Sequence, residues 1–111
     1  MAKNLSQAER HEALKQLPGW KETEDGKALT KVYTFASFSH AFAFMTHVAL
    51  YAEKVNHHPE WTNIYNKVHV MLTTHTSGGV SAKDIALALE METAAFAFLN
   101  PCTTDQSDLV F

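Results

Sequence analysis

An α+β two-layer sandwich, with a four-stranded antiparallel sheet and three helices on one face, is expected from three features of the chain. Helical and alternating hydrophobic periods follow one another in the order α-β-β-α-β-β-α. Serine caps precede each helical run, and short turn signals separate the members of each strand pair. At 111 residues the chain has the size of one domain, able to bury roughly two-thirds of its extended surface. The expected organisation is a single domain over residues 1–99 and a mobile tail over 100–111, which has no hydrophobic period.

Ser6 and Glu9 form a capping-box pattern, and Pro18 with Gly19 stops the run behind it, so the first helix is placed over Ser6 to Leu17 with Ala13, Leu14 and Leu17 inward. Asp25-Gly26 is a two-residue hairpin signal between a short strand, Trp20 to Thr23, and a longer one, Ala28 to Phe35. Ser37 caps the second helix, whose residues Phe38, Ala41, Phe42, Met45, Val48, Ala49 and Ala52 recur at steps of three and four. A second stripe of His40, Phe44, His47 and Tyr51 on the same helix is read as a partner surface. Pro59 biases His58 out of the helical region, so this helix ends near Val55. Strands follow over Trp61 to Tyr65 and Lys67 to Thr74, turning at Asn66, with Val68, Val70 and Leu72 on one face and His69, Met71 and Thr73 on the other. Ser77, Gly78 and Gly79 make a loop. Ser81 and Asp84 open the third helix, followed by Ile85, Ala88, Leu89, Ala95, Phe96 and Leu99, and the helix stops before Pro101.

Composition excludes several functions. The 46% hydrophobic and 19% charged content rules out collagen-like or wholly disordered chains. Nine basic residues against twelve acidic ones, a net charge of -3, leave no basic patch for nucleic acid. No apolar run is long enough to span a membrane and the start lacks a secretory apolar stretch, so a cytoplasmic address is expected. Cys102 stands alone and is read as incidental.

Histidine is the unusual component, with seven residues. His57 and His58 are adjacent, followed by Pro59, at a helix-to-strand junction that is rigid yet open. Imidazole titrates near neutrality, so one ring can donate a proton while another accepts one. His75 lies at the end of the last strand; a hairpin can bring it back to the His57-His58 loop or leave it a strand length away. Adjacent residues in an extended loop point to opposite sides and no fourth ligand accompanies them, which disfavours zinc. Trp20 and Trp61 are large aromatics that could stack on a flat ligand but more often belong to a core or interface. Asp84 also reads as an ordinary carboxylate in the first turn of a helix, and Glu53 as a solvated helix-end carboxylate.

The spacing of Glu53, His57, His58, Pro59, Tyr65, His75 and Asp84 resembles the signature of the pterin-4a-carbinolamine dehydratases. The likeness runs from about Leu5 to Ala95 and includes the segments 42–45, 48–50, 52–54, 57–61 and 65–69. It implies a cofactor-free, metal-free hydro-lyase that removes water from 4a-hydroxytetrahydropterin, the product left by an aromatic amino acid hydroxylase, and yields quinonoid dihydropterin. By the same resemblance His57, His58 and His75 are catalytic. Glu53, Asn56, Pro59, Trp61, Thr73, Thr74, Thr76 and Asp84 belong to the substrate site, with the segments 56–58 and 73–76 touching the pterin partly through backbone. The family usually carries Asp before the paired histidines where this chain has Asn56; loss of that charge points to a lower pH optimum. A homodimer or homotetramer is expected. The competing function is that of an adaptor, since animal relatives also act as dimerisation partners of a homeodomain transcription factor through the helix matching Phe38 to Val55.

Overall fold

A computed structural model describes residues 3–99. The expected tail over 100–111, Cys102 and Pro101 lie outside the described residues. The observed elements are α1 (Gln7–Leu14), β1 (Lys21–Glu22), β2 (Leu29–Thr34), α2 (Phe38–Val55), β3 (Glu60–Ile64), β4 (Lys67–Leu72) and α3 (Ala82–Leu99). The strands form one antiparallel sheet in the order β1-β2-β4-β3. This is the expected α+β sandwich, with α2 and α3 packed on each other and on the inner face of β2 and β4.

Local chemistry sets the boundaries. Ser6 and Glu9 make both halves of the capping box, and the backbone and hydroxyl donors of Ser6 hold the Glu9 carboxyl below its usual range. α1 stops at Leu14, earlier than expected, because the amides of Gln16 and Leu17 turn back to the carbonyls of Ala13 and Leu14 in a tighter coil. The first hairpin also differs from expectation: β1 is two residues long and the loop spans six, 23–28. Here the Asp25 carboxylate accepts from the Lys27 amide and the Thr23 hydroxyl, which lowers its pKa, and only Gly26 adopts positive φ. The second hairpin turns through Tyr65, at φ 52, and Asn66; the Asn63 amide donates to the carbonyls of Tyr65 and Lys67 to hold the bend.

The inner face of the sheet carries Leu29, Tyr33, Val68, Val70 and Leu72, all nearly inaccessible. Phe44 sits among them with its ring centroid 4.9 Å from Tyr33 and 5.0 Å from Phe35. This corrects the assignment of helix faces. Phe44 is fully buried, whereas Phe38, Phe42 and Ala49, expected inward, are exposed. Phe42 and Phe44 lie about 200° apart around the helix axis. Only one can meet the sheet, and the aromatic cluster of β2 selects Phe44. On α3 the inward residues are Leu87, Ala88, Met91, Ala94 and Ala95, while Leu89 and Phe96 face out.

A polar knot ties β2 to α3. Glu92 Oε2 accepts from Trp20 Nε1 at 3.2 Å, Lys31 Nζ at 2.6 Å and the Tyr33 hydroxyl. Burial first, and the hydrogen bond and charge of Glu92 second, push the Tyr33 phenol far above its ordinary value. An unfolded tyrosine loses its proton near pH 10 while the folded one keeps it. The folded state therefore holds more protons above that pH, and stability present below about pH 10 falls by about 1.4 kcal/mol per pH unit above it. Tyr33→Phe is expected to be less stable than the native chain by about 1 kcal/mol at neutral pH. The deficit should shrink as urea titrations are moved from pH 9 upward to about pH 11; a constant gap would refute the role given to this phenol.

Candidate active site

The end of α2 fixes the first two histidines. Asn56 takes the left-handed conformation, φ 54 and ψ 45, which asparagine tolerates better than most residues. The His57 amide then donates back to the Ala52 carbonyl at 3.1 Å, closing the helix end. Asn56, the departure from the usual Asp, thus has a backbone role. The His57 ring turns inward, 9% of the residue exposed, and its Nε2 lies 2.7 Å from Asp84 Oδ1. The His58 ring stays outside, with Nε2 3.1 Å from Glu53 Oε1. Pro59 then feeds the chain into β3.

Asp84 is fully buried and carries a second set of bonds on its other oxygen. Oδ2 accepts from the Thr74 hydroxyl at 2.7 Å and from the Ser81 amide at 2.9 Å. The Ser81 hydroxyl accepts from the Lys83 amide at 3.2 Å and lies 2.7 Å from Thr74 Oγ1. This is a reciprocal helix cap with Asp in the place of Glu. The cap reading of Asp84 is met, and the same carboxylate also holds the His57 ring. Among the described residues no buried side-chain nitrogen or oxygen lacks a partner.

His75 arrives from the far end of β4. Because β3 and β4 are antiparallel, with Glu60 opposite Met71, the end of β4 lies beside the start of β3. The question left open by spacing is thereby answered: His75 returns to the histidine pair. Its Nε2 lies 3.1 Å from Glu60 Oε1. The loop behind it folds on Thr74, whose carbonyl accepts from the Ser77 and Gly78 amides. The N-terminal segment straps this loop. Asn4 Nδ2 donates to the Ser77 carbonyl at 2.9 Å and the Leu5 amide to the Val80 carbonyl at 2.8 Å.

The result is an open cleft of about 300 Å³ walled by Asn56, His57, His58, Thr73, Thr74, His75, Thr76 and Lys83. It gathers all three expected histidines and four of the expected binding residues. Four others do not form its walls. Asp84 lies beneath, and a residue with no exposed surface reaches a ligand only through His57. Glu53 is exposed and leans on His58 from outside. Pro59 is half-buried behind the pair. Trp61 is on the helix side of the sheet, packed against the core, and borders a separate groove with Thr30, Glu60, Thr62, His69 and Met71. Trp20 is a core residue. Lys83, Glu60, Ser81 and Asn4 were not anticipated. Lys83 and Ser81 adjoin Asp84 in the helix-start signature; Asn4 gives no signal because its partner is 73 positions away.

A carboxylate can only accept, so the Nε2 of His57 and of His58 carries the proton in its bond to Asp84 or Glu53, and a neutral ring so held presents Nδ1 as an acceptor. Thr73, Thr74 and Thr76 add hydroxyls and backbone groups, and Lys83 a cation. The geometry is that of a small α+β protein with a histidine–carboxylate cleft between a helix end and a sheet end. The family model described as pterin 4 alpha carbinolamine dehydratase matches residues 3–94. A relative from Afipia carboxidovorans bearing the pterin-4-alpha-carbinolamine dehydratase name is 51% identical over 94 residues, 85% of this chain and 94% of its own. One from Rhodopseudomonas palustris with the same name is 50% identical over 101 residues, 91% and 99% of the two chains. The crystal structure of a transcriptional coactivator/pterin dehydratase from Brucella melitensis superposes with a TM-score of 0.82 at 46% identity, covering 84% of this chain and 99% of that one. A pterin dehydratase-like RuBisCO assembly factor, 24% identical with a TM-score of 0.60, shares the fold. The chain belongs to the pterin 4 alpha carbinolamine dehydratase family, a family of hydro-lyases.

Replacing Asp84 by Ala strands the Ser81 amide, the Thr74 hydroxyl and the His57 ring at once. We expect a loss of about 3–5 kcal/mol, read as a lower urea midpoint at unchanged slope. A midpoint shift worth less than about 1 kcal/mol would show that water replaces the carboxylate at little cost.

Proposed function

We propose that this protein dehydrates 4a-hydroxytetrahydropterin to quinonoid dihydropterin, restoring the pterin of an aromatic amino acid hydroxylase. The observation that carries the reading is the convergence of three imidazoles, two of them hydrogen-bonded to a carboxylate, on one cleft at the small end of the range for ligand sites. The family membership supports the substrate class.

Two proton movements are required. The hydroxyl on C4a must be protonated so that the C4a–O bond breaks with its electron pair leaving as water. The N5 proton must be lost so that the N5 electron pair forms the C4a=N5 bond. Acid and base therefore flank one bicyclic ring. We assign His57 and His75 as this pair, with His58 orienting the substrate or sharing the acid role. Asn56 and the threonines of 73–76 hold the flat ring through backbone and hydroxyl groups. Asp84 and Glu53 act by holding His57 and His58. A hydroxylase enters as the supplier of the adduct.

The test is stopped-flow decay of the 4a-adduct absorbance with and without protein. His57→Ala and His75→Ala are each expected to slow the catalysed step by about 10²–10⁴-fold. Unchanged rates in the alanine variants at 57, 58 and 75 would overturn the proposal.

The oligomeric expectation shifts to a different set of side chains. Phe38 and Phe42 stand about half exposed on the outer side of α2, their ring centroids 5.7 Å apart, and Leu50 is 70% exposed farther along the helix. We propose that a second copy of the chain covers this face by helix packing. Phe38→Ser with Phe42→Ser should reduce the light-scattering mass to that of one chain or a smaller assembly; an unchanged mass would discard this interface.

A further inference from the structure

We propose that Thr74 is a positioning residue: through Asp84 it sets the His57 ring against the loop that carries His75. Its effect on rate rests on the dehydratase reading; the brace itself does not. The family resemblance places Thr74 among the groups that touch the pterin, and its hydrogen bonds give it a different task.

The polar groups of Thr74 are engaged within the fold. Its hydroxyl donates to Asp84 Oδ2 at 2.7 Å. A hydroxyl has one proton, so the 2.7 Å contact between Thr74 Oγ1 and Ser81 Oγ runs from Ser81 to Thr74. Ser81 Oγ in turn accepts from the Lys83 amide. The bonds therefore share one direction, from the Lys83 amide through Ser81 and Thr74 to Asp84, and each polarises the next. The Thr74 amide donates to the Gly79 carbonyl at 2.8 Å, and the Thr74 carbonyl accepts from the Ser77 and Gly78 amides. With 3% of the residue exposed, Thr74 lines the cleft but has no donor left to offer a ligand. The threonine contribution to the ring narrows to Thr73 and Thr76.

The Asp84 carboxylate turns about a soft torsion with two broad wells. On one side His57 Nε2 donates to Oδ1; on the other, Oδ2 receives the Thr74 hydroxyl and the Ser81 amide. The Ser81 amide belongs to the cap of the same helix as Asp84 and moves with it, so it does not fix the carboxylate relative to the sheet. Thr74 does, because it stands just past β4. Thr74 is also the residue before His75. A path of two hydrogen bonds and one peptide link thus runs from the His57 ring through Asp84 and Thr74 to His75, joining the two rings assigned as acid and base. Without the Thr74 hydroxyl, Asp84 still holds His57 but loses its registration with the loop. A shift of about 1 Å in a reacting group can cost about 10²-fold in rate.

The experiment compares the full-length native protein with Thr74→Val, which keeps the shape and removes the hydroxyl, and Thr74→Ser, which keeps the hydroxyl and removes a methyl group. Both substitutions fall in a buried site and lower stability, so rates are read well below the lowest melting temperature. Thr74→Val should lower kcat for adduct dehydration about 10–10²-fold with KM within about twofold, and Thr74→Ser should keep kcat within about threefold of the native value. The His57 Nε2 proton, followed by NMR, should exchange slowly with water in the native protein and in Thr74→Ser, and about tenfold faster or more in Thr74→Val. A raised KM at native kcat would show that the hydroxyl meets the substrate, and equal kcat losses in the two variants would mark a packing role. Either result overturns the proposal, as does a His57 proton unmoved by the valine. Should Thr74→Val fail to fold, the native protein decides: a Thr74 hydroxyl proton protected from exchange supports the brace, and an unprotected one refutes it. If the native protein itself fails to accelerate dehydration, the proposed function falls, and the His57 proton still decides whether Thr74 braces the ring.

Discussion

The Asp84 carboxylate is the constraint on which the site is built. An ionised carboxylate without solvent must be satisfied by donors or it is expelled from the fold. Here the donors come from three places: the Ser81 amide at the start of its own helix, the Thr74 hydroxyl past β4, and the His57 ring at the end of α2. Satisfying one buried charge therefore brings together a helix start, a helix end and a strand end. The cleft lies at that junction, and its floor is rigid for the same reason that the charge is tolerated.

Outward from this floor the support changes from packing to pairing. His57 is held by burial and a short hydrogen bond. His58 is hydrogen-bonded to the exposed Glu53, and His75 is the most exposed of the three. The N-terminal segment joins the same arrangement by strapping the loop that carries His75, so residues before α1 support a site built near the middle and end of the chain. At the opposite side, Glu92 gathers Trp20, Lys31 and Tyr33 and so keeps β2 against α3.

Much of the fold could be read from local patterns, because caps, turns and strand alternation are short-range effects. Ser6, Ser37 and Ser81 each marked a real helix start, and Val68, Val70 and Leu72 face the core as their alternation requires. Helix α2 was legible in its extent but not in its rotation. It is apolar on nearly every side, so period alone could not choose between Phe42 and Phe44; the rings of Tyr33 and Phe35 made that choice. The hairpin at Asp25 failed for a related reason. The Asp25 side chain found the Lys27 amide and the Thr23 hydroxyl, and that local capture favoured a wider loop over the two-residue turn.

For the site, the order and spacing along the chain were enough to point to residues that the fold gathers in or beneath one cleft: a histidine pair stopped by proline, a third histidine after a strand, and an acid at a helix start. These are properties of neighbouring residues and survive without any knowledge of the fold. What they touch was beyond such reasoning. Asp84 is below the cleft and not in its wall, Trp61 borders another groove, and Glu60 and Lys83 stand at the rim. Each of those positions follows from strand pairing and helix docking, which join residues far apart in the chain through burial and hydrogen bonds that no local pattern records.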